Sequence, residues 1–278
     1  MTSPLDGPLA LLLRPPFGWV LATIWGALWG SFFNVCIYRL GLYESVVRPR
    51  SRCPACGTPI AGFDNVPILS WLILRGRCRH CRAKISLRYP LVEALSAGLA
   101  AAVYARFVLG RPDDPVVLLA HFFAYFAFAG ALLVLSGIDL DHKLLPDRIT
   151  MPGIPIALVA GILLGDLPPL ELLIGAASGY AIVAITAELA YLALGREGMG
   201  YGDAKLLALI GALLGWRGVL VTFFGAPFIG LIVILPLFTR RKQRLLGVEI
   251  PYGPFLCAAA LGYLYFGQYL PPPFTFRP

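Results

Sequence analysis

Charged residues are scarce in this chain. Only 14% of its 278 residues are Asp, Glu, Lys or Arg, whereas 58% are hydrophobic. A soluble domain usually has about a quarter charged residues and about half hydrophobic ones. The composition therefore excludes an ordinary soluble protein and predicts an integral membrane protein.

Other features are also absent. No low-complexity tract or internal repeat stands out, and no small-x-small cleavage site follows the first apolar run. Because the only early positive charge is Arg14, we expect a retained membrane anchor and not a cleaved signal. The net charge of +8 is not accompanied by a basic patch interleaved with aromatic residues, so nucleic-acid binding is not expected.

Eight apolar runs are candidate membrane helices, since about 20 residues of helix cross a bilayer. The runs are Phe17–Tyr38, Leu91–Val108, Val116–Ile138, Ile149–Gly165, Leu170–Leu194, Ala204–Trp216, Gly218–Phe238 and Pro254–Leu270. The run Ala204–Trp216 has only 13 residues and by length fits a buried helix better than a spanning one.

Positive charges suggest that the short run nevertheless crosses. Ten of the 23 Lys and Arg residues lie between Arg39 and Arg88, and a second cluster, RRKQR, runs from Arg240 to Arg244. Both clusters face the cytoplasm, as positive loops usually do, only if every run crosses. We therefore predict an all-α polytopic protein of about eight membrane helices, with both termini outside.

The main polar segment, Arg39 to Tyr89, carries two C-x2-C pairs separated by 21 residues: Cys53 with Cys56, and Cys78 with Cys81. Four thiolates on two tight turns are the ligand set of a closed, structural zinc site. Disulfides or free thiols are the alternatives, although structural disulfides are rare on a reducing, cytoplasmic face. We expect His80 to be an exposed loop residue. Cys36 and Cys257 lie in apolar runs and are expected to be packing residues.

Two acidic sites lie at predicted cytoplasmic helix ends. SGIDLDHKLLPD contains Asp139, Asp141 and Asp147, and Asp203 follows the glycine-rich GREGMGYGD. Because two crossings separate Asp139 from Asp203, both return to the same face and can meet. Paired carboxylates share one proton, so the charged member can activate water while the protonated member donates, which is the chemistry of aspartic proteolysis.

Structural roles for these acids stay open. Asp203 could pair with Lys205 or Arg196, and Asp141 and Asp147 are expected to be solvated loop charges. Two further acids in or near the spans, Glu93 and Glu188, are expected to pair within the helix bundle, with a proton relay at Glu188 as the alternative.

An ordered set of motifs resembles the bifunctional prepilin peptidases, or type IV leader peptidases, over nearly the whole chain. The motifs are GSFFNVCIYRL (Gly30 to Leu40), the two cysteine pairs, RYPLVEAL (Arg88 to Leu95), IDLDHKLLPD (Ile138 to Asp147) and GREGMGYGDAKLLALIGALLGW (Gly195 to Trp216).

The resemblance implies an inner-membrane aspartic peptidase of the GxGD type. Its catalytic acids would be Asp139 and Asp203, with Gly200 and Gly202 completing the second motif and Lys205 supporting it. The implied substrates are type IV prepilins or type II secretion pseudopilins in the lipid bilayer, cut on the cytoplasmic face after the glycine that ends a short basic leader.

Many members of this family also methylate the new N terminus with S-adenosylmethionine. The family associates this activity with the glycine and basic residue before the third cysteine, here Gly76 and Arg77. Members often have lysine at the second position, and arginine is not interchangeable with lysine at a shaped site. The resulting domain prediction is a first membrane helix over 1–38, a zinc domain over 39–89 and a seven-helix peptidase domain over 90–278.

Two other functional classes compete with the peptidase. A proton- or cation-coupled transporter would use Asp139, Glu93, Glu188 and Asp203 along a pathway, but it leaves the cysteine pairs unexplained. A membrane-anchored zinc adaptor would explain the cysteines and leave Asp139 and Asp203 without a role.

Overall fold

The computed structural model describes residues 8–195, 200–241 and 251–276, and this part of the chain is built from helices. The α-helices within these ranges are α1 (Pro8–Leu13), α2 (Phe17–Gly41), α3 (Leu69–Ile73), α4 (Arg88–Phe107), α5 (Pro115–His142), α6 (Asp147–Leu164), α7 (Pro169–Leu194), α8 (Tyr201–Arg241) and α9 (Gly253–Phe266). Two short 3-10 helices are Gly62–Asn65 and Gly267–Tyr269. In the described ranges, β pairing is limited to isolated β-bridges. The all-α prediction is confirmed.

Five helical segments of the described chain are long and apolar enough to cross a membrane. They are Phe17–Gly41, Pro115–His142, Asp147–Leu164, Pro169–Ala193 and Tyr201–Leu235. This confirms a polytopic membrane protein. The count of eight crossings stays a prediction, because α4 and α9 lie outside this set and the basic cluster 240–244 extends beyond the described residues.

The helix α8 is broken at Gly215, which has φ 68° and ψ −179°. Only glycine adopts this conformation readily, so Gly215 ends the first part of the helix. The 14 residues from Tyr201 to Leu214 rise only about 21 Å, less than the roughly 30 Å hydrocarbon layer. Leu206, Leu207 and Ile210 are fully buried. The short run is a buried helix, as its length indicated, and its crossing of the bilayer remains a prediction.

One compact unit covers Met1–Val134, and in it α2 packs closely against α4. The small residues Gly18, Ala22, Gly26 and Gly30 recur every four positions of α2 and are buried together. A Cβ at Gly26 would lie 2.5 Å from the carbonyl oxygen of Ser96, whose hydroxyl donates to the Gly26 carbonyl at 2.7 Å. This small-residue face allows the two backbones to approach, as membrane helices often do.

The other unit covers Leu135–Pro278 and is organised around α8, which contacts α6, α7 and α9. The backbones of α7 and α8 touch at Gly175 and Gly211, where a Cβ on either residue would overlap the carbonyl oxygen of the other. The close packing keeps the buried first part of α8 fixed against its neighbours. The last turn of α5 and the first turns of α8 and α9 also belong to this unit, and they carry the acids described next.

Candidate active site and metal centre

Asp139 lies in the last turn of α5, and only 6% of the residue is exposed. Lys143 follows the helix with φ 53° and donates its N–H to the Asp139 carbonyl oxygen at 2.9 Å. A left-handed residue directly after a helix is a common C-terminal cap. Pro146, in an extended conformation, then begins the turn into α6. Local sequence therefore ends α5 just after Asp139 and fixes the acid at the helix terminus.

Asp203 lies in the first turn of α8 and is partly buried. Its N–H donates to the carbonyl oxygen of Gly200 at 3.0 Å. A Cβ at Gly202 would lie 3.2 Å from Cβ of Leu145, so this glycine allows close contact with the loop that follows Asp139. At Gly200, by contrast, the only described atom within 4 Å of an added Cβ is the Gly202 nitrogen.

The carboxylates of Asp139 and Asp203 lie within electrostatic range of each other. Cys257 of α9 is buried, and its thiol lies within electrostatic range of both carboxylates. Leu145 packs against Gly202 on one side and lies 3.4 Å from the position of a Cβ on Gly253 on the other. Asp139 and Asp203 therefore lie in the same region of this unit, and their action as one catalytic site stays a prediction.

Lys205 is not the partner of Asp203. Its Nζ lies 2.7 Å from Oδ1 of Asp147, which places Lys205 in an ion pair between the first turns of α8 and α6. The suggested pairing of Asp203 with Lys205 is therefore wrong, and Arg196, the other suggested partner, lies outside the described residues. Asp147, expected as a free loop charge, is exposed but has a structural partner.

Gly253, the first residue of α9, is a feature that sequence reasoning missed. Its N–H donates to Oδ2 of Asp139 at 3.0 Å. A Cβ at this position would lie 2.6 Å from the same oxygen, so only glycine lets the backbone approach the acid this closely. Tyr252, the preceding residue, is within electrostatic range of Asp203. The Gly-Pro pair after Tyr252 signals a helix start, but nothing local points to an acid 114 residues away.

The remaining acids do not join this pair. Asp141 and Glu188 are exposed. Glu93 belongs to the other compact unit, where it is buried and its Oε2 accepts the N–H of Ile68 at 2.7 Å. Ile68 has φ 62°, an unusual value for a β-branched residue, and the bond from Glu93 helps hold that conformation. Glu93 therefore has a structural role, but this partner lies in the polar insert and not within the helix bundle, where pairing was expected.

The four cysteines of the insert converge. The sulfurs of Cys53, Cys56, Cys78 and Cys81 all lie within 4.8 Å of one another. Cys53 Sγ and Cys81 Sγ are 3.8 Å apart. A zinc ion bound to four sulfurs at about 2.3 Å requires sulfur–sulfur edges of about 3.8 Å. The donor set and its spacing therefore fit a tetrahedral zinc ion. All four thiols are free, so the structure gives no support to the disulfide alternative.

The two cysteine turns have the same backbone geometry. Cys53 N–H donates to the Thr58 carbonyl and Cys78 N–H to the Ala83 carbonyl, each at 2.9 Å. Gly57 and Arg82, each four residues after the first cysteine of its pair, have φ 70° and φ 60°. The side-chain and backbone hydrogen bonds of Thr58 lower the pKa of Cys56 to about 6. Backbone N–H groups likewise lower the pKa of Cys78. These hydrogen bonds favour the thiolate form, which binds metal, at Cys56 and Cys78. At Cys81, desolvation and the neighbouring sulfurs raise the thiol pKa to about 11.

Gly76 and Arg77 lie where the second cysteine turn begins. Gly76 is buried with φ 64°, and a Cβ there would lie 2.8 Å from the Trp71 indole. The indole N–H of Trp71 donates to the Ile85 carbonyl, and Ile85 N–H donates to the Gly76 carbonyl at 2.7 Å. Arg77 is exposed. Glycine is thus explained by backbone conformation and packing, while Arg77 is the one of this pair able to contact a ligand directly.

Comparison with known proteins agrees with this organisation. Residues 24–107 match the family model for the bacterial peptidase A24 N-terminal domain, and residues 126–235 match the model for the type IV leader peptidase family. No solved structure matches the chain significantly.

Curated relatives match over most of their length. The chain is 36% identical to the prepilin leader peptidase/N-methyltransferase of Pseudomonas putida, over 90% of this chain and 91% of that protein. It is 36% identical to proteins of the same name from Burkholderia pseudomallei strain 1026b, covering 94% and 90%, and from Aeromonas hydrophila, covering 90% and 93%. The transporter alternative finds no support in these matches or in the placement of Glu93 and Glu188.

Proposed function

The chain belongs to the type IV leader peptidase family, and on that premise we propose that it is a bifunctional membrane enzyme. It acts as a prepilin peptidase and as an N-methyltransferase, the two activities that the names of its relatives state. The observation that carries the peptidase assignment is that Asp139 and Asp203 lie within electrostatic range of each other in the compact unit Leu135–Pro278.

The paired acids supply proteolytic chemistry without a metal. One carboxylate accepts a proton from water as the water oxygen bonds to the scissile carbonyl carbon, and the other, protonated, donates to the carbonyl oxygen. Collapse of this intermediate returns the carbonyl, breaks the C–N bond and transfers a proton to the leaving amine. Burial of Asp139 and partial burial of Asp203 near helix ends reduce the screening of their interaction by bulk water.

The substrates we propose are type IV prepilins or type II secretion pseudopilins within the bilayer. Cleavage would follow the glycine that ends the basic leader. We place the protein in the bacterial inner membrane with the acids and the cysteine turns on the cytoplasmic side, because ten of 23 Lys and Arg residues lie between Arg39 and Arg88.

The segment 39–89 is proposed as a domain held by structural zinc. Cys53, Cys56, Cys78 and Cys81 would be the ligands, and such a closed site leaves no position for a reactive water. Metal binding would contribute folding free energy to a segment with little apolar core. On either side of this segment we propose the first membrane helix, residues 1–38, and the peptidase domain, residues 90–278.

Methyl transfer is proposed to use this zinc domain. S-adenosylmethionine, when bound, supplies the methyl group for the amine that cleavage releases. The exposed guanidinium of Arg77 would contact the negatively charged part of that cofactor, and Gly76 would act indirectly by holding the turn against Trp71. Holding both reactions in one protein presents the new amine without release.

Mass spectrometry of a mature pilin tests both activities. Cells that express a prepilin are compared with and without this protein, and the pilin N terminus is sequenced. We expect loss of the basic leader after glycine together with a mass increase of one methyl group. An unprocessed pilin in the presence of correctly inserted protein would refute the peptidase assignment, and a cleaved but unmethylated one would refute the transferase assignment.

A further inference from the structure

Gly253 contacts a carboxylate of the proposed catalytic pair through its backbone. Its N–H donates to Asp139 Oδ2 at 3.0 Å, and the glycine is buried. The N–H is one of the first-turn donors of α9 that no carbonyl within the helix can satisfy. The contact therefore gives the free N–H at the start of α9 an acceptor and gives the Asp139 carboxylate a hydrogen-bond donor.

No side chain fits between this backbone and the acid. A Cβ on Gly253 would lie 2.6 Å from Asp139 Oδ2, closer than real Cβ contacts allow, and 3.2 Å from its Cγ, which is also tight. An alanine would have to push either the carboxylate or the start of α9 out of place. Further along the same helix, a Cβ on Gly262 would meet no atom within 4 Å. The steric requirement is thus specific to Gly253.

We propose that Gly253 is a positioning residue that orients Asp139 and holds it in the ionised form, making Asp139 the base that activates water and Asp203 the proton donor. This assignment rests on the proposed peptidase function and adds a role for each acid. A backbone N–H at a helix N-terminus favours a negatively charged acceptor, through both the hydrogen bond and the helix dipole. Because α5 ends beside Asp139, the negative end of its dipole otherwise opposes the charge.

The other ionisable groups around Asp139 are consistent with this division. Asp203 of α8 faces it and repels a second negative charge. Cys257 of α9 is buried, and Tyr252 is within electrostatic range of Asp203. Lys205, two residues after Asp203, is paired with Asp147, and Lys143 follows Asp139 at the end of α5. Once Asp139 is charged, its repulsion makes Asp203 the member that keeps the proton.

The test is the pH dependence of prepilin cleavage by the full-length protein in phospholipid vesicles, with Gly262→Ala as the matched control. We expect Gly253→Ala to lower kcat roughly 100-fold with little change in KM, since a displaced catalytic group costs about that much. The acidic limb of its activity profile should move up by roughly one to two pH units, because ionised Asp139 loses its donor. Gly262→Ala should keep the wild-type rate and profile.

A second variant covers the case in which Gly253→Ala does not fold. Glycolic acid incorporated at position 253 turns the backbone amide into an ester, which removes the N–H and adds no atom. The acidic limb should again move up. An unchanged profile in this variant, beside an active wild type, overturns the inference and leaves the peptidase assignment intact. A shift of the alkaline limb instead makes Asp139 the proton donor and also overturns it, whereas an inactive wild type refutes the proposed function itself.

Discussion

Lys205 Nζ lies 2.7 Å from Asp147 Oδ1, so the lysine two residues after Asp203 is paired with an acid of another helix. This ion pair connects the first turn of α8, which carries Asp203, to the first turn of α6. Lys205 therefore fixes the backbone next to the proposed active site without neutralising Asp203. Asp147 was expected to be a solvated loop charge. Through its ion pair with Lys205, it instead helps to fix the backbone beside the proposed active site.

Removing either member of this pair should have the same modest effect. Lys205→Gln and Asp147→Asn should each lower the free energy of unfolding by less than about 1 kcal/mol, because the Asp147 side chain is 62% exposed. The double variant should be no worse than either single one in stability or prepilin cleavage, since both act through one contact. The measurement is a double-mutant cycle in detergent. A much larger loss for Lys205→Gln than for Asp147→Asn would show that Lys205 does something beyond this pair.

Each acid of the proposed dyad should be indispensable by itself. Asp139→Asn and Asp203→Asn should each reduce prepilin cleavage roughly 100- to 10,000-fold, because an amide can neither accept the water proton nor donate an acidic one. Membrane insertion should be unchanged. Exposed Asp141→Asn is the matched control and should retain cleavage. Near-normal activity in either dyad variant contradicts the assignment.

The convergence of Asp139 and Asp203 could be predicted from sequence because both acids end or begin apolar runs separated by an even number of crossings. The cysteine cluster could be predicted for a similar reason, since two C-x2-C turns carry their own geometry. The first prediction depends on counting membrane crossings, and the second depends on the local spacing of the cysteines. The described structure brings the four cysteine sulfurs together and places Asp139 and Asp203 within electrostatic range of each other.

The role of Gly253 beside Asp139 and the ion pair of Lys205 with Asp147 could not be predicted in this way. The contact between Gly253 and Asp139 joins residues 114 positions apart, and glycine in a sequence does not say which atom approaches it. Sequence proximity favoured Lys205 with Asp203, but neighbours two apart on a helix point in different directions. Tertiary packing of α6 against α8 selected Asp147 instead.

The break in α8 should depend on glycine at position 215. Gly215→Ala should lower the free energy of unfolding by about 1–3 kcal/mol, because its φ of 68° and ψ of −179° are accessible almost only to glycine. Thermal unfolding in detergent measures this. Gly98→Ala in α4 is the control, since an added Cβ there meets no atom within 4 Å, and helix propensity makes it neutral or stabilising. Equal stability of Gly215→Ala and wild type would contradict a required break.

The cysteine insert should contain zinc. Purified protein is expected to hold about one zinc ion per chain, and the double variant Cys53→Ser, Cys81→Ser should lose it, because a structural site needs all four thiolates. Inductively coupled plasma mass spectrometry on both samples gives the count. Cys36→Ala, a buried cysteine of α2, is the control and should keep the metal. The same metal content in the double variant and the wild type would refute the four-thiolate site.

Arg77 should affect methylation and not cleavage. Arg77→Ala should produce pilin that is cut normally but carries less N-terminal methyl group, since the guanidinium is exposed and is proposed to contact the cofactor. Arg77→Lys should recover much of the methylation, because lysine retains the positive charge though not the planar pair of donors. Gly76→Ala serves as a contrast: it should disturb the whole turn, because φ is 64° and a Cβ would press on Trp71 at 2.8 Å. Intact-mass measurement separates the two reactions in one sample. If Arg77→Ala leaves methylation unchanged while Gly76→Ala abolishes it, the turn's shape is what matters, and the proposed contact from Arg77 is wrong.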